Sequence, residues 1–227
     1  MRRPVLFILS LAVLACGPPS PDFEELCRRT QASPFTQVVE QKPYEIRMGY
    51  RPAWLSEARA LEDLAQEEEF VTAEAVDAVL RGAVQSIQFV LEIGPHAELA
   101  PNQKRTADIV NFHPDQNAFS ANLHHLIYGL GERIYLLTAE NERVPVGLYQ
   151  LDRNWGLGYT NRILLSFPAE YNEIDLRREP RIEVVVQNLN RALPELRFLF
   201  DPNPIRKGDY SPQKLARALN QVRSASP

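Results

Sequence analysis

The hydrophobic pattern changes along the chain from one continuous apolar run to helical spacing and then to the spacing of strands. Residues 4–15 are apolar apart from Ser10. Residues 55–65 and 72–83 carry apolar side chains at helical intervals, so each predicts an amphipathic helix. From residue 86 onward the apolar residues come mostly in short β-rich runs that end at turn signals such as Gly94-Pro95, which predicts strands.

The predicted strands follow one another at hairpin-like distances, without a regular helix between each pair. This spacing argues against a doubly wound parallel sheet. We expect a mainly β fold, namely an antiparallel β-sandwich with an N-terminal helical pair, one inserted helix over 118–130 and a C-terminal helix after Ser211. The predicted strands are Tyr44–Tyr50, Ile87–Ile93, Arg133–Thr138, Val144–Leu151, Arg162–Phe167, Arg181–Gln187 and Leu196–Phe200.

The first fifteen residues have the organisation of a secretory signal peptide. Arg2 and Arg3 precede the apolar run, which is shorter than the ~20 residues that a membrane-spanning helix needs. Val13-Leu14-Ala15-Cys16 resembles the lipobox of bacterial lipoproteins. The resemblance implies that the thiol of Cys16 is acylated, with palmitate-type chains, and that Cys16 becomes the first residue after cleavage. An ordinary cleaved signal peptide is the alternative.

Residues 16–43 predict a flexible tether, because prolines crowd its start and Pro34 and Pro43 interrupt its end. Residues 44–227 are expected to form a single globular domain. With Cys16 acylated, Cys27 has no partner within the chain, which excludes a disulfide framework. Gly17 resembles the second residue of lipoproteins sorted to the outer membrane, since the usual retention residue, Asp, is absent. The outer membrane is therefore favoured over the inner membrane.

The charge of the chain disfavours nucleic acid as a partner. Removal of residues 1–15 takes away two arginines and no acidic residue, which moves the formal net charge from −4 to −6. Phosphate neutralisation requires a basic surface, which an acidic chain of this kind does not provide. The expected partners are the membrane, through the acyl chains on Cys16, and a protein of the envelope.

No residue pattern in the sequence predicts a catalytic, metal or cofactor site. His113, His124 and His125 lie close together in the sequence but lack the spacing of a zinc signature. Ser120 could meet His124 one helical turn later, yet nothing in the sequence shows a third group that would orient the histidine. Ser166 lies within a predicted strand rather than at a nucleophile elbow.

An aromatic connection between two predicted strands offers a possible partner contact. Trp155 and Tyr159 flank Gly156-Leu157-Gly158. They predict either an aromatic cover of the core or an exposed anchor for a partner or a sugar ring. The surrounding sequence resembles uncharacterised β-rich surface lipoproteins of bacteria, over Ile134–Thr138, Val144–Val146, Asp152–Leu157 and Ile163–Phe167.

These expectations combine into one function and one alternative. The sequence favours a non-enzymatic, membrane-anchored extracytoplasmic lipoprotein that acts as a binding or assembly module of the bacterial envelope. The alternative is an extracytoplasmic hydrolase with an unrecognised site.

Overall fold

Two antiparallel sheets make up most of the fold in the computed structural model. The structure describes residues 28, 30–51, 60, 63–64, 72, 74–78, 85–152, 158–190 and 193–200. The larger sheet has the strand order β1-β2-β3-β7-β6, the smaller one β11-β10-β4-β5, and β8 pairs with β9. The strands are β1 Thr36–Gln41, β2 Tyr44–Arg51, β3 Ser86–Pro95, β4 Ile134–Leu137, β5 Arg143–Pro145, β6 Leu148–Asp152, β7 Asn161–Pro168, β8 Glu170–Tyr171, β9 Ile174–Asp175, β10 Ile182–Asn190 and β11 Leu193–Phe200.

The alternation of apolar and polar residues along the strands determines which face of the larger sheet is buried. In β2, Ile46 and Met48 are fully buried whereas Arg47 between them is exposed. β3 repeats the alternation, with Phe89 and Leu91 buried. Successive side chains of a strand point to opposite faces, so one face of the sheet lies on the core and the other is polar.

The inner faces of the two large sheets share one hydrophobic core. Phe89 of β3 and Phe200 of β11 belong to different sheets, and their ring centroids are 5.2 Å apart. Tyr50 of β2 lies 6.2 Å from Phe200, and Phe167 of β7 lies 5.9 Å from Phe89. The prediction of a mainly β, antiparallel fold is therefore confirmed.

The predicted inserted helix is present as α1, Gln116–Tyr128. The side chain of Asp115 caps its first turn by accepting a hydrogen bond of 2.8 Å from the backbone N–H of Ala118. A 3-10 helix, Lys104–Ala107, precedes it. None of the helices within the described ranges is long and apolar enough to cross a lipid bilayer.

The two predicted helical regions after β2 are described only in short pieces. Residues 60, 63–64 and 74–78 are helical, and Val76 is buried. The rest of this region and the predicted C-terminal helix lie outside the described residues. The paired N-terminal helices and the C-terminal helix therefore remain predictions.

The predicted end of the tether at residue 43 is wrong. Thr36–Gln41 form β1, which pairs with β2 in an antiparallel register from Thr36↔Gly49 to Gln41↔Tyr44. The strand escaped detection because an edge strand needs few buried side chains, and here only Val39 packs against the core while Val38 is exposed. The folded body thus begins before Tyr44.

The predicted strand Val144–Leu151 is in fact two strands in different sheets. β5 ends at Pro145 in the smaller sheet, and β6 begins at Leu148 in the larger one. The N–H group of Val146 still donates to the carbonyl of Ile134 in the smaller sheet, at 3.2 Å, whereas the N–H group of Gly147 donates to the carbonyl of Ser166 in the larger sheet, at 2.9 Å. The chain therefore crosses between the sheets at residues 146–147.

Candidate functional site

The outer face of the larger sheet brings together a row of charged side chains from three strands. Arg47 of β2 lies opposite Glu92 of β3, and Glu92 lies opposite Arg162 of β7. Residues directly opposite on one sheet face have β-carbons about 5 Å apart, so the three side chains are neighbours. We call Arg47, Glu92 and Arg162 the charged row.

Each arginine of the charged row is paired with one glutamate. Arg162 donates from Nε to Oε1 of Glu92 at 2.7 Å. Arg47 donates from Nε to Oε1 of Glu45 at 2.7 Å, and its Nη2 lies 2.6 Å from the same oxygen. Both arginine side chains are more than half exposed. These pairs set the direction of the guanidinium groups more than they stabilise the fold, because exposed pairs contribute about 0–1 kcal/mol.

Two glycines of the outer face produce a shallow concavity on each side of the charged row. The Gly49 concavity, of about 260 Å³, lies over Gly49 and Val90 and is walled by Thr30, Gln31 and Thr36. The Gly94 concavity, of about 350 Å³, is walled by Glu45, Pro95 and Thr160. All three residues of the charged row line both concavities.

The two glycines lie in different surroundings. A β-carbon on Gly49 would meet its nearest neighbours, Thr36 Oγ1 and the carbonyl of Val90, at 3.6 Å and 3.8 Å, which is ordinary contact. A β-carbon on Gly94 would lie 2.5 Å from Thr160 Oγ1. Glycine at 94 is thus required by the close approach of Thr160, whereas Gly49 leaves space that a side chain could fill.

Tyr159, predicted as a partner contact, adjoins in the chain a residue that walls the Gly94 concavity, Thr160. It precedes Thr160 in the chain, and it is 39% exposed. Trp155, the other predicted contact, lies outside the described residues, as does the predicted lipidation residue Cys16.

The three neighbouring histidines make separate contacts. The ring of His124 lies 5.1 Å from that of Tyr128, and His125 Nε2 lies 2.8 Å from the carbonyl of Asn188. His113 packs edge-on against Phe119. In the part of the chain that the structure describes, no three His, Cys, Asp or Glu side chains form a group able to hold a metal ion.

Neither serine considered for catalysis is hydrogen-bonded to a histidine within the described ranges. No hydrogen bond joins Ser120 to His124 among the described residues, and His124 contacts Tyr128 instead. Ser166 lies within β7, opposite Gln88 of β3.

The charged row could not be found by a motif search. Its members are far apart in the sequence, and only the strand order β2-β3-β7 places them side by side. The available signal was weaker: charged residues alternate with buried ones in β2, one outward position of β3 is a glutamate, and each of the two strands contains a glycine. An isolated glycine inside a strand indicates a close backbone approach or a surface depression.

Comparison with known proteins yields little beyond this geometry. No protein-family model matches the chain, and no curated protein matches it. A crystal structure of a novel protein of unknown function from Burkholderia pseudomallei is similar over 89% of this chain and 95% of that one, at 12% identity and a TM-score of 0.35.

Proposed function

We propose that the protein is a lipid-anchored, extracytoplasmic binding or assembly module of the bacterial envelope. Its acyl anchor is on Cys16, and its binding surface is the charged row with the two concavities beside it. We also propose the finer architecture: a β-sandwich with a helical pair near its N-terminus, the inserted helix α1 and a C-terminal helix.

The observation that carries the binding function is the open outer face of the larger sheet, which bears both positive and negative side chains. Three arginines and two glutamates line the shallow concavities of this face, and the exposed Tyr159 adjoins Thr160 of the Gly94 concavity in the chain. Such a face offers hydrogen-bond donors and acceptors in fixed positions, together with an aromatic side chain of the kind that often dominates binding energy. These features support recognition of a partner in the envelope.

The anchoring part of the proposal is tested with Cys16→Ser. The variant should still be exported but should lack acyl chains, because serine cannot form the thioether that the lipobox resemblance implies. We expect it to move from the membrane fraction to the soluble fraction after a carbonate wash, while the parent stays with the membrane. Retention of Cys16→Ser in the washed membrane would refute lipid anchoring through this residue.

The binding part is tested by capture from detergent-solubilised envelope. The lipidated parent should capture a defined partner, and Tyr159→Ala should reduce that capture about tenfold or more, as truncation of an interface hot spot does. Tyr128→Ala is the matched control, since Tyr128 is a 72% exposed tyrosine on α1 rather than beside the charged row. Equal capture by both variants would contradict the proposed surface.

A further inference from the structure

The Gly49 concavity has an excess of positive charge that the neighbouring Gly94 concavity lacks. Three arginines line it, namely Arg47, Arg51 and Arg162, against the single carboxylate of Glu92. The Gly94 concavity has two arginines and two glutamates. The excess is local, because the chain as a whole is acidic.

Arg51 is the source of that excess. Arg47 and Arg162 each hold a glutamate, as described above. Across the described residues, no carboxylate lies within ion-pair distance of Arg51, whose cross-strand partner in β3 is the neutral Gln88. An arginine has five N–H donors and no acceptor, so Arg51 presents a complete guanidinium fork at the edge of the concavity.

The paired arginines also keep donors for a ligand. Arg162 uses only Nε in its bond to Glu92, and Arg47 uses Nε and Nη2 on a single oxygen of Glu45. The remaining N–H groups of both side chains have no protein acceptor within the described ranges. The glutamates therefore orient the two guanidinium groups and leave part of each free to bind.

We propose that the Gly49 concavity is a carboxylate-binding site of the module, with Arg51 as its main ligand and Arg47 and Arg162 as flanking donors. The inference rests on the proposed binding function and names the chemistry that this surface recognises. Guanidinium and carboxylate groups match in a bidentate geometry, and both are planar. With Glu45 included, three arginines face two glutamates, an excess of one positive charge that suits a single carboxylate.

The ligand is a carboxylate on a flexible stem, such as an acidic side chain of a polypeptide partner or a small organic acid. The volume of about 260 Å³ is below that of pockets that enclose whole drug-sized ligands, so the concavity takes a terminal group rather than a large molecule. Thr36 and Gln31 on its wall provide neutral polar atoms.

The test measures binding of defined probes to the lipidated full chain in non-ionic detergent by isothermal titration calorimetry. The probes are succinate, a short blocked peptide with one glutamate, the same peptide with glutamine, and inorganic phosphate. We expect succinate and the glutamate peptide to bind. The glutamine peptide should bind at least about tenfold more weakly, because it lacks one charge-assisted hydrogen bond. Phosphate binding that exceeds that of both carboxylates would overturn the assignment.

Two variants and one control locate the site. Arg51→Gln should weaken the binding of succinate about tenfold or more without breaking any ion pair of the described residues. Gly49→Val should abolish succinate binding, because its side chain fills the concavity. The strand should tolerate the change, because Gly49 lies on the outer face, where a β-branched residue is favourable. Gly49→Ala is the conservative version, because its β-carbon makes only ordinary contacts.

Arg181→Gln is the matched control for charge. Arg181 is exposed, does not line the concavity, and has no ion-pair partner among the described residues. The Arg181→Gln variant should bind succinate with the same affinity as the parent. Equal binding by Arg51→Gln, Gly49→Val and Arg181→Gln would show unspecific attraction and refute the site, as would the absence of succinate and peptide binding to the parent.

The outcomes separate this inference from the proposed function. If Gly49→Val no longer binds succinate but still captures the partner through Tyr159, the carboxylate site exists but the partner does not bind to it. If the parent binds succinate and captures no partner, the assembly function fails while the carboxylate site remains. Capture of the partner together with failure of every carboxylate probe refutes the carboxylate site alone.

Discussion

At the scale of single residues, the carboxylate of Asp108 shows how a buried charge can fix a loop. It is 4% exposed and accepts hydrogen bonds from the backbone N–H groups of Val110 and Asn111, at 3.0 Å each. The side-chain amides of Asn111 and Asn161 donate to it at 2.9 Å and 3.0 Å. Because Asn161 begins β7, these bonds tie the loop before α1 to the larger sheet. This cluster could not be predicted from the sequence, since two asparagines and an aspartate are ordinary loop residues until the fold buries them.

Asp108→Ala should therefore lower the free energy of unfolding by about 2–4 kcal/mol, because it leaves the fully buried amide of Asn161 without an acceptor. Asp115→Ala is the comparison: it removes the N-cap of α1, which costs about 1 kcal/mol. Urea unfolding of both variants measures which of the two losses of stability is larger. A loss for Asp108→Ala no greater than that for Asp115→Ala would contradict the role of the buried cluster.

At the scale of elements, predictions succeeded where burial alternates strictly and failed where it does not. β2, β3 and β7 alternate buried and outward residues along almost their whole length, and all were predicted within a few residues. β1 lies at a sheet edge with little buried surface, and the crossing between β5 and β6 depends on which sheet each half joins. Neither fact is encoded in a local pattern, because pairing partners are decided by the whole fold.

The small β8–β9 hairpin depends on ionic contacts that respond to pH. Arg177 donates from Nε to Asp175 at 2.7 Å and from Nη2 to Glu170 at 2.8 Å. The hydrogen bond from Arg177 is the main cause that lowers the pKa of Asp175 below its usual value. A folded pKa below the unfolded one stabilises the protein above an unfolded pKa of about 4, and this stabilisation is lost as the pH falls through the folded pKa.

The free energy of unfolding should consequently differ between parent and Arg177→Gln at about pH 7, and this difference should shrink as the pH falls through the folded pKa of Asp175, because the protonated carboxyl no longer pairs with Arg177. Chemical denaturation at a series of pH values measures the difference. Arg181→Gln, which removes an exposed arginine without an ion pair in the described part of the chain, should show no such convergence. A difference for Arg177→Gln that stays constant across this range would refute the ionic role.

At the scale of the whole molecule, strand order determines both the binding surface and the core. The charged row exists because β7 returns beside β3 after a long excursion that includes α1 and two strands of the smaller sheet, β4 and β5. Such non-local pairing is invisible to a reading of motifs, although the charges and glycines that it assembles are visible one by one. The opposite face of β2 and β3 provides the aromatic side chains, Tyr50 and Phe89, that meet Phe200.

That shared core predicts that the two large sheets unfold together. Phe89 of β3 is fully buried and contacts rings of both sheets, so Phe89→Ala should lower the free energy of unfolding by about 3–5 kcal/mol. Phe112→Ala is the control, because Phe112 is 47% exposed and its loss should change stability by about 0.5 kcal/mol or less. Amide hydrogen exchange should accelerate in parallel at Leu91 in the larger sheet and at Val184 in the smaller one, since a cooperative core opens as a unit. Acceleration at Leu91 with unchanged protection at Val184 would show that the sheets are independent units.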